Sequence, residues 1–365
     1  MTFLARLSRL WRKDGGNGTS TPRSTAIRAS TRARIRSHHE SEAQRQIDEL
    51  RRQRRERFRI LVCLNGTEQS DDALRMAAYL GRSDECDIIL LYVRPVDHGL
   101  ATGGLQERVA RQNMLDWGIE LPGIRDLHQG LALLKSEGLS PDDWNLTSTH
   151  TDVWGDPLGD NKVEYRDNVT GRSIVLKLKT APDAASGILD QYELGPYNLI
   201  LMGDSSRWRG ELRSFFSRRS AVQKVVMLAP CSVMVVRPTS RDHDGFFICT
   251  DGSSRSTEGV KRAAVLAHVV GAPITLFAVA PNLKTRPYAR EAVENAAAIL
   301  KSMGIRVTET KVAVGDPVEQ IIRYGSHYKV IVVSDEGRSR LQRIFRGSIS
   351  YDVLRKAGTS VLDVR

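Results

Sequence analysis

The sequence has few cysteines and no long apolar run, and each absence excludes a class of protein. Four cysteines are spread over 365 residues without a Cys-x-x-Cys pair, at Cys63, Cys86, Cys231 and Cys249. This spacing excludes a disulfide framework, argues against structural zinc and predicts buried thiols in a reducing cytosol. No stretch reaches the ~18 consecutive apolar residues of a membrane-spanning helix. We therefore expect a cytoplasmic protein that is soluble or peripheral to a membrane.

Signatures of catalysis are also missing from the chain. The sequence contains no GxxxxGK[ST], HExxH or GxSxG motif, and its eight histidines are dispersed. These motifs carry the phosphate loop of P-loop NTPases, the zinc site of metalloproteases and the nucleophile of α/β-hydrolases. We therefore predict no catalytic residue and no metal ligand.

The positive charge is concentrated at the N-terminus. Residues 1–57 hold 15 Lys/Arg and 6 Asp/Glu, whereas residues 58–365 hold 39 and 37. We interpret 1–57 as a basic, partly disordered extension that begins with an amphipathic helix. The apolar face of this helix is formed by Phe3, Leu4, Leu7, Leu10 and Trp11. A solubilising tail and a transit peptide are the alternative interpretations of the extension.

Apolar β-type runs alternate with segments of helical periodicity from Phe58 onwards, which predicts an α/β fold with parallel strands. The order then repeats: a shift of 186 residues aligns Cys63 with Cys249 and Asn65 with Asp251. We predict one domain at 58–238 and a second at 245–365. In the first domain we expect the third strand near 145–153, followed by a hairpin insertion at 154–180. A stabilising lid is favoured over a binding role for this insertion.

A candidate phosphate site follows the strand-forming run YKVIVV in the second repeat. Gly337 and Gly347 are separated by nine residues, and Ser348 precedes a predicted helix. Glycines bring main-chain amides close to an anion, and a helix N-terminus favours negative charge. Asp251 ends the first strand of the repeat, where α/β sheets place ligand-binding residues. A turn or a helix cap is an equally good interpretation of Asp251 taken alone.

These motifs resemble the universal stress protein family, whose ATP-binding members carry Gly, two residues, Gly, nine residues and Gly-Ser/Thr. The resemblance covers 245–365 well and 58–238 more loosely. It implies two open parallel-sheet domains in tandem, Rossmann-like and of the adenine nucleotide alpha hydrolase type. They would pair about a pseudo-two-fold axis through 232–237 and 360–365. Asp363 is unexpected in that second strand, where an apolar residue is usual, and it argues against a tightly packed junction.

The resemblance also implies a set of nucleotide-binding residues in the second domain. These are Thr250, Asp251, Val279, Ser334, Gly337, Gly347, Ser348 and Ile349. Ser334 replaces the first glycine of the family motif. If that position requires positive φ, the serine costs on the order of 1–2 kcal/mol and weakens binding about tenfold.

The first domain departs further from the family pattern. Asn65 replaces the acid, the loop after Gly203 is longer, and Arg219 occupies the position of Gly347. We therefore expect little or no nucleotide binding in this half and interpret it as a pairing partner for the second domain.

Two functions remain open from the sequence. The first is a stress-response protein that binds ATP or a related adenine nucleotide, with Mg²⁺ held by the phosphates, and acts as a nucleotide-dependent switch or chaperone-like regulator. Slow ATP hydrolysis is the most that we expect of it as an enzyme. The second is a nucleotide-independent scaffold whose basic extension contacts a membrane or another polyanion. A homodimer and an unidentified protein partner are compatible with either function.

Overall fold

A computed structural model describes residues 57–95, 122–153, 156–193, 197–204, 220–238, 243–334 and 349–365. Arg54–Arg365 form one compact unit that contains both repeats. The predicted amphipathic helix and, apart from Arg57, the rest of the basic extension lie outside the described residues.

The first repeat contributes seven strands and four helices within the described ranges. The strands are β1 (Phe58–Leu64), β2 (Cys86–Pro95), β3 (Asn145–Val153), β4 (Asp156–Arg166), β5 (Ser173–Ala181), β6 (Leu199–Gly203) and β7 (Ser232–Val236). The helices are α1 (Glu68–Leu80), α2 (Pro122–Ser136), α3 (Ala184–Glu193) and α4 (Ala221–Leu228).

The second repeat contributes five strands and four α-helices within the described ranges. The strands are β8 (Phe246–Cys249), β9 (Ile274–Ala280), β10 (Glu309–Val314), β11 (Val330–Ser334) and β12 (Ser360–Val364). The helices are α5 (Ser254–Val269), α6 (Arg286–Ser302), α7 (Pro317–Gly325) and α8 (Ile349–Lys356), with a short 3₁₀ helix at Leu283–Thr285.

All twelve strands form one sheet, in the order β10-β9-β8-β11-β12-β7-β6-β1-β2-β5-β4-β3. The five core strands of each repeat are parallel and follow the doubly wound order 3-2-1-4-5. The predicted α/β class and the tandem repeat are therefore confirmed. The two repeats meet where β12 pairs antiparallel with β7, as the family resemblance implies.

The third core strand of the first repeat is not the one we expected from the sequence. Ser173–Ala181 pairs parallel with β2 and is largely buried, so it is the core strand. Asn145–Val153 pairs antiparallel with β4 at the outer edge of the sheet, and most of its residues are exposed. The insertion therefore consists of β3 and β4, and the predicted site of the third strand was wrong.

Helices cover both faces of the sheet and enclose two apolar clusters. One cluster packs α1, α2, α5 and α6 on the first face, and the other packs α3, α4, α7 and α8 on the opposite face. Each cluster contains residues of both repeats, including those of β7 and β12. The hydrophobic core is thus continuous across the junction, which stabilises the two repeats as one body.

The cysteines are free thiols, as predicted, and three of them are buried. Burial raises the pKa of Cys86 to about 12, chiefly because the thiolate would lose its hydration. None of the helices in the described part of the chain is long and apolar enough to cross a membrane.

Two arginines reach across the junction of β7 and β12, and each contacts the opposite repeat. Arg237 follows β7 and donates to the carbonyl oxygens of Leu354, near the end of α8, and Thr359. Arg365 follows β12 and donates to the carbonyl oxygens of Val226 and Ala229, at the end of α4. Each repeat therefore caps the last helix of the other with a guanidinium, which satisfies unpaired carbonyls and complements the helix dipole.

Both arginines are paired with a carboxylate inside the junction. Arg237 is 1% exposed, and its Nε lies 2.8 Å from Oδ2 of Asp204. Asp363, which we expected to weaken the junction, is 2% exposed and lies 2.8 Å from Nη2 of Arg365. The expectation that Asp363 weakens the junction was wrong, because Asp363 neutralises Arg365. The sequence pattern did not predict this ion pair.

We expect Arg237→Met to lower the free energy of unfolding by about 3–5 kcal/mol, because a buried carboxylate loses its cation. Urea denaturation would measure the change. The matched control is Arg75→Ala, which breaks an exposed pair with Asp72 and should cost less than about 1 kcal/mol. Equal urea midpoints for Arg237→Met and the wild type would contradict this account of the junction.

Candidate functional site

A cavity of about 120 Å³ opens at the carboxyl ends of the second repeat's strands. Five of the eight residues proposed from the sequence line it together: Thr250, Asp251, Val279, Ser334 and Ile349. The other three, Gly337, Gly347 and Ser348, lie outside the described residues. Helix α8 begins at Ile349, next to the predicted phosphate segment.

Asp251 occupies the turn between β8 and α5. Its Oδ1 accepts a hydrogen bond from the amide of Ser253 at 2.9 Å, and Gly252 adopts a φ of 81°. Asp251 therefore stabilises the turn, which is the alternative role that we proposed for it from the sequence. Asp251 lines the cavity, and its second carboxylate oxygen accepts no hydrogen bond from the described residues, so this acceptor is available to a ligand.

Thr250 is held in place by hydrogen bonds beneath the turn. Its Oγ1 accepts from Ser256 Oγ at 2.9 Å and from the Gly252 amide at 3.2 Å, and it is 6% exposed. These contacts make Thr250 a positioning residue for Asp251. Sequence reasoning missed Ser256, although it follows the N-cap Ser253 by three residues, the spacing of a capping box.

Val279 contributes its main chain to the cavity. Strand β8 ends at Cys249, opposite Phe277, whereas β9 continues to Ala280. The Phe277 carbonyl accepts from the Thr250 amide at 2.8 Å, so the backbone groups of Phe277 face β8. Because these groups alternate along a strand, those of Val279 point to the same side, where β8 has already ended.

Apolar side chains form most of the remaining cavity wall. Phe277, Ile321 and Val333 contribute from β9, α7 and β11, and Cys249 lies at the end of β8. Although the Cys249 residue is half-buried, desolvation of its thiol raises the pKa, so the thiol stays protonated at neutral pH. The sequence did not indicate Ile321, because this side chain reaches the cavity only through the packing of α7 on the sheet.

Ser334 does not occupy a position that requires glycine. It is the last residue of β11 and pairs with Val364 in the parallel ladder, so its backbone is extended. A Cβ on Gly259 would lie 2.8 Å from the Ser334 Cβ, which means that Gly259 makes room for the serine. The Ser334 carbonyl also accepts from Ser350 Oγ at 3.0 Å. The backbone penalty expected for a non-glycine residue therefore does not apply.

The first repeat keeps the turn but not the acid. Asn65 Oδ1 accepts from Thr67 Oγ1 at 2.7 Å, and Gly66 adopts a φ of 71°, as Gly252 does in the second repeat. A Cβ on Gly203 would lie 2.2 Å from the Gln69 carbonyl oxygen, so the start of α1 packs directly against the end of β6. The space that Ser334 fills in the second repeat is closed here.

The sequence model described as the universal stress protein family matches residues 56–121 and 246–365, just over half of the chain. The chain belongs to this family. No curated protein matches it.

Solved structures resemble most of the fold or a part of it. A universal stress protein from Archaeoglobus fulgidus DSM 4304 is 13% identical, with a TM-score of 0.57 over 84% of this chain and 98% of that one. A protein of unknown function from Pseudomonas aeruginosa PAO1 is 13% identical, with a TM-score of 0.52 over 84% and 92%. A universal stress protein in complex with cAMP is 26% identical over 34% of this chain and 98% of that one, with a TM-score of 0.29.

Ser334→Gly tests the role of the residue that departs from the family motif. Since Ser334 lies in a strand without strain, we expect this substitution to change the affinity for ATP less than threefold, well below the tenfold effect of ~1.4 kcal/mol. Isothermal titration calorimetry of both proteins would measure it. A tenfold gain in affinity for Ser334→Gly would show that the serine obstructs the ligand.

Proposed function

We propose that the second repeat binds an adenine nucleotide as a regulatory ligand. The observation that carries the proposal is that Asp251, with one carboxylate oxygen unbonded among the described residues, and Val279 line the same mainly apolar cavity. A carboxylate oxygen accepts hydrogen bonds from a ribose, and a backbone amide and carbonyl can recognise the edge of a purine.

The cavity presents both apolar and polar groups, as recognition of an adenosine moiety requires. Phe277 and Ile321 offer apolar contact to a base, while Asp251 and the main chain of Val279 provide the polar groups that orient it. The phosphates would extend toward the start of α8 and the segment that contains Gly337 and Gly347. A helix N-terminus and glycine amides bind such groups through unpaired N–H donors.

A regulatory role is favoured over catalysis by the residues available. Among the described residues, no group of three His, Cys, Asp or Glu side chains could hold a metal ion. Thr250 and Ser256 are engaged with each other at 2.9 Å, and neither has a histidine base as a hydrogen-bond partner. We propose that Mg²⁺ accompanies the phosphates of the nucleotide and that binding acts as a switch.

Asp251→Asn is the sharpest test of this site. Asn65 makes the same turn in the first repeat, so the variant retains the fold and loses only the negative charge. Because a hydrogen bond to a charged group contributes about 1.5–3 kcal/mol, we expect the affinity for ATP to fall by roughly tenfold or more. Isothermal titration calorimetry with ATP, ADP and AMP would measure the loss.

The matched control is Asn65→Ala, which changes the equivalent residue of the first repeat. We expect it to leave the affinity for nucleotide unchanged. Gly347→Asp, which places a side chain and a negative charge in the phosphate segment, should abolish binding. Absence of binding by the wild-type protein, or unchanged affinity in both Asp251→Asn and Gly347→Asp, would refute the proposed function.

A further inference from the structure

A second cavity, of about 190 Å³, lies over β1, β2, β4 and β5 in the first repeat. It is on the sheet face that carries α3 and α4, because it shares Ile89 and Val175 with their apolar cluster. Its wall contains more cations than carboxylates: Arg59, Lys162, Arg166 and Lys177 against Asp87 and Glu164.

The carboxylates of this cavity are already paired with cations, but Lys177 is not paired with either. Glu164 lies 2.5 Å from Lys162 Nζ, and Asp87 lies 2.8 Å from Arg57 Nε. No carboxylate of the described residues forms an ion pair with Lys177, although this lysine is only partly exposed. Lys162 lies directly across from Lys177 in the β4–β5 ladder, and like charges in that arrangement repel.

The second repeat contains the same lysine with its charge compensated. Lys311 Nζ lies 2.8 Å from Glu309 Oε2 and donates to Tyr328 Oη at 3.2 Å. The strand registers show the equivalence of the two lysines: Lys177 aligns through Leu91 with Cys63, and Lys311 aligns through Phe277 with Cys249.

The first repeat has no acid at the position of Glu309, and it has an additional cation, Arg59. Val175 precedes Lys177 by two residues, as Glu309 precedes Lys311, so an apolar side chain replaces the carboxylate. Tyr197 precedes β6 by two residues, as Tyr328 precedes β11. The Arg59 guanidinium lies over the Tyr197 ring, with its Cζ 4.7 Å from the ring centroid. The position that holds a neutralised lysine in one repeat therefore holds two neighbouring cations in the other.

We propose that this cavity binds a small dianion bearing a phosphate group, with Lys177 and Arg59 supplying the positive charge. A partly buried ammonium requires a counter-charge, and the protein provides one for Lys311 but not for Lys177. Arginine and lysine are the side chains that bind phosphate oxygens in proteins. Val175 and Ile89 close one side of the cavity with apolar surface, which strengthens the attraction between the charges.

The protonation of Lys177 couples this site to pH. Burial, followed by the charges of Lys162 and Lys179, lowers the pKa of Lys177 to about 8. Arg59 acts in the same direction and Asp160 opposes it. The hydrogen bonds to Glu309 and Tyr328 instead raise the pKa of Lys311. An anion stabilises the protonated lysine, so its affinity should fall as the pH rises through about 8.

Isothermal titration calorimetry with inorganic phosphate and with glycerol phosphate tests the proposal. We expect at least tenfold weaker binding to Lys177→Met than to the wild type, while Lys177→Arg keeps the charge and retains binding. The matched control, Lys311→Met, should leave binding unchanged. Tighter binding of glycerol phosphate identifies a phosphorylated metabolite as the ligand, and tighter binding of phosphate identifies the free ion.

Two further measurements keep this site distinct from the nucleotide site. The affinity of Lys177→Met for ATP should equal that of the wild type, and its stability in urea should not fall, because the substitution removes a desolvated charge. Sulfate, which keeps its charge through this pH range, should lose affinity in the wild type above about pH 8. Failure of the wild type to bind either phosphate probe, or equal binding by Lys177→Met, would overturn the proposal.

Discussion

The exchange of arginines at the junction of β7 and β12 is the constraint on which the rest of the molecule depends. Each repeat ends in a strand whose open edge requires a partner, and each arginine places its charge in the opposite repeat. The two guanidinium groups donate to carbonyl oxygens at the ends of α4 and α8, so the junction positions these helices together with the strands. The start of α8 borders the cavity that Asp251 lines, and the junction thereby helps to hold the wall of that cavity.

The two repeats share one fold but differ in the charged residues at equivalent positions. The second repeat retains Asp251 at the end of β8 and compensates Lys311 with Glu309. The first repeat has Asn65 in place of the acid and Val175 in place of the glutamate. Loss of one carboxylate removes a hydrogen-bond acceptor for a ribose, while loss of the other exposes an uncompensated lysine. The same backbone therefore forms a mainly apolar cavity beside Asp251 in one half and a basic cavity around Lys177 in the other.

Patterns local in sequence predicted the class of fold and the repeat, because these follow from periodicity and from matched segments. The pairing of the last strands was an expectation from the family resemblance. Local patterns did not predict which strand belongs to the parallel core, because that depends on the strand with which it pairs. Ser173–Ala181 alternates like a hairpin strand because Lys177 and Lys179 interrupt it, yet it lies in the parallel core. In the site, the family resemblance led us to expect Asp251 and Val279, and capping-box spacing could have indicated Ser256. Ile321 lines the cavity through packing of α7 that spacing does not encode.

The antiparallel pairing of β7 with β12 also bears on how the chain is made. Strand β7 precedes its partner by more than a hundred residues, so during synthesis the first repeat presents an apolar edge with unpaired amides and carbonyls. Such an edge is a template for association with other nascent chains. Protection of the first repeat therefore waits for translation of the final strand, and the interval between the two is when a chaperone would be needed.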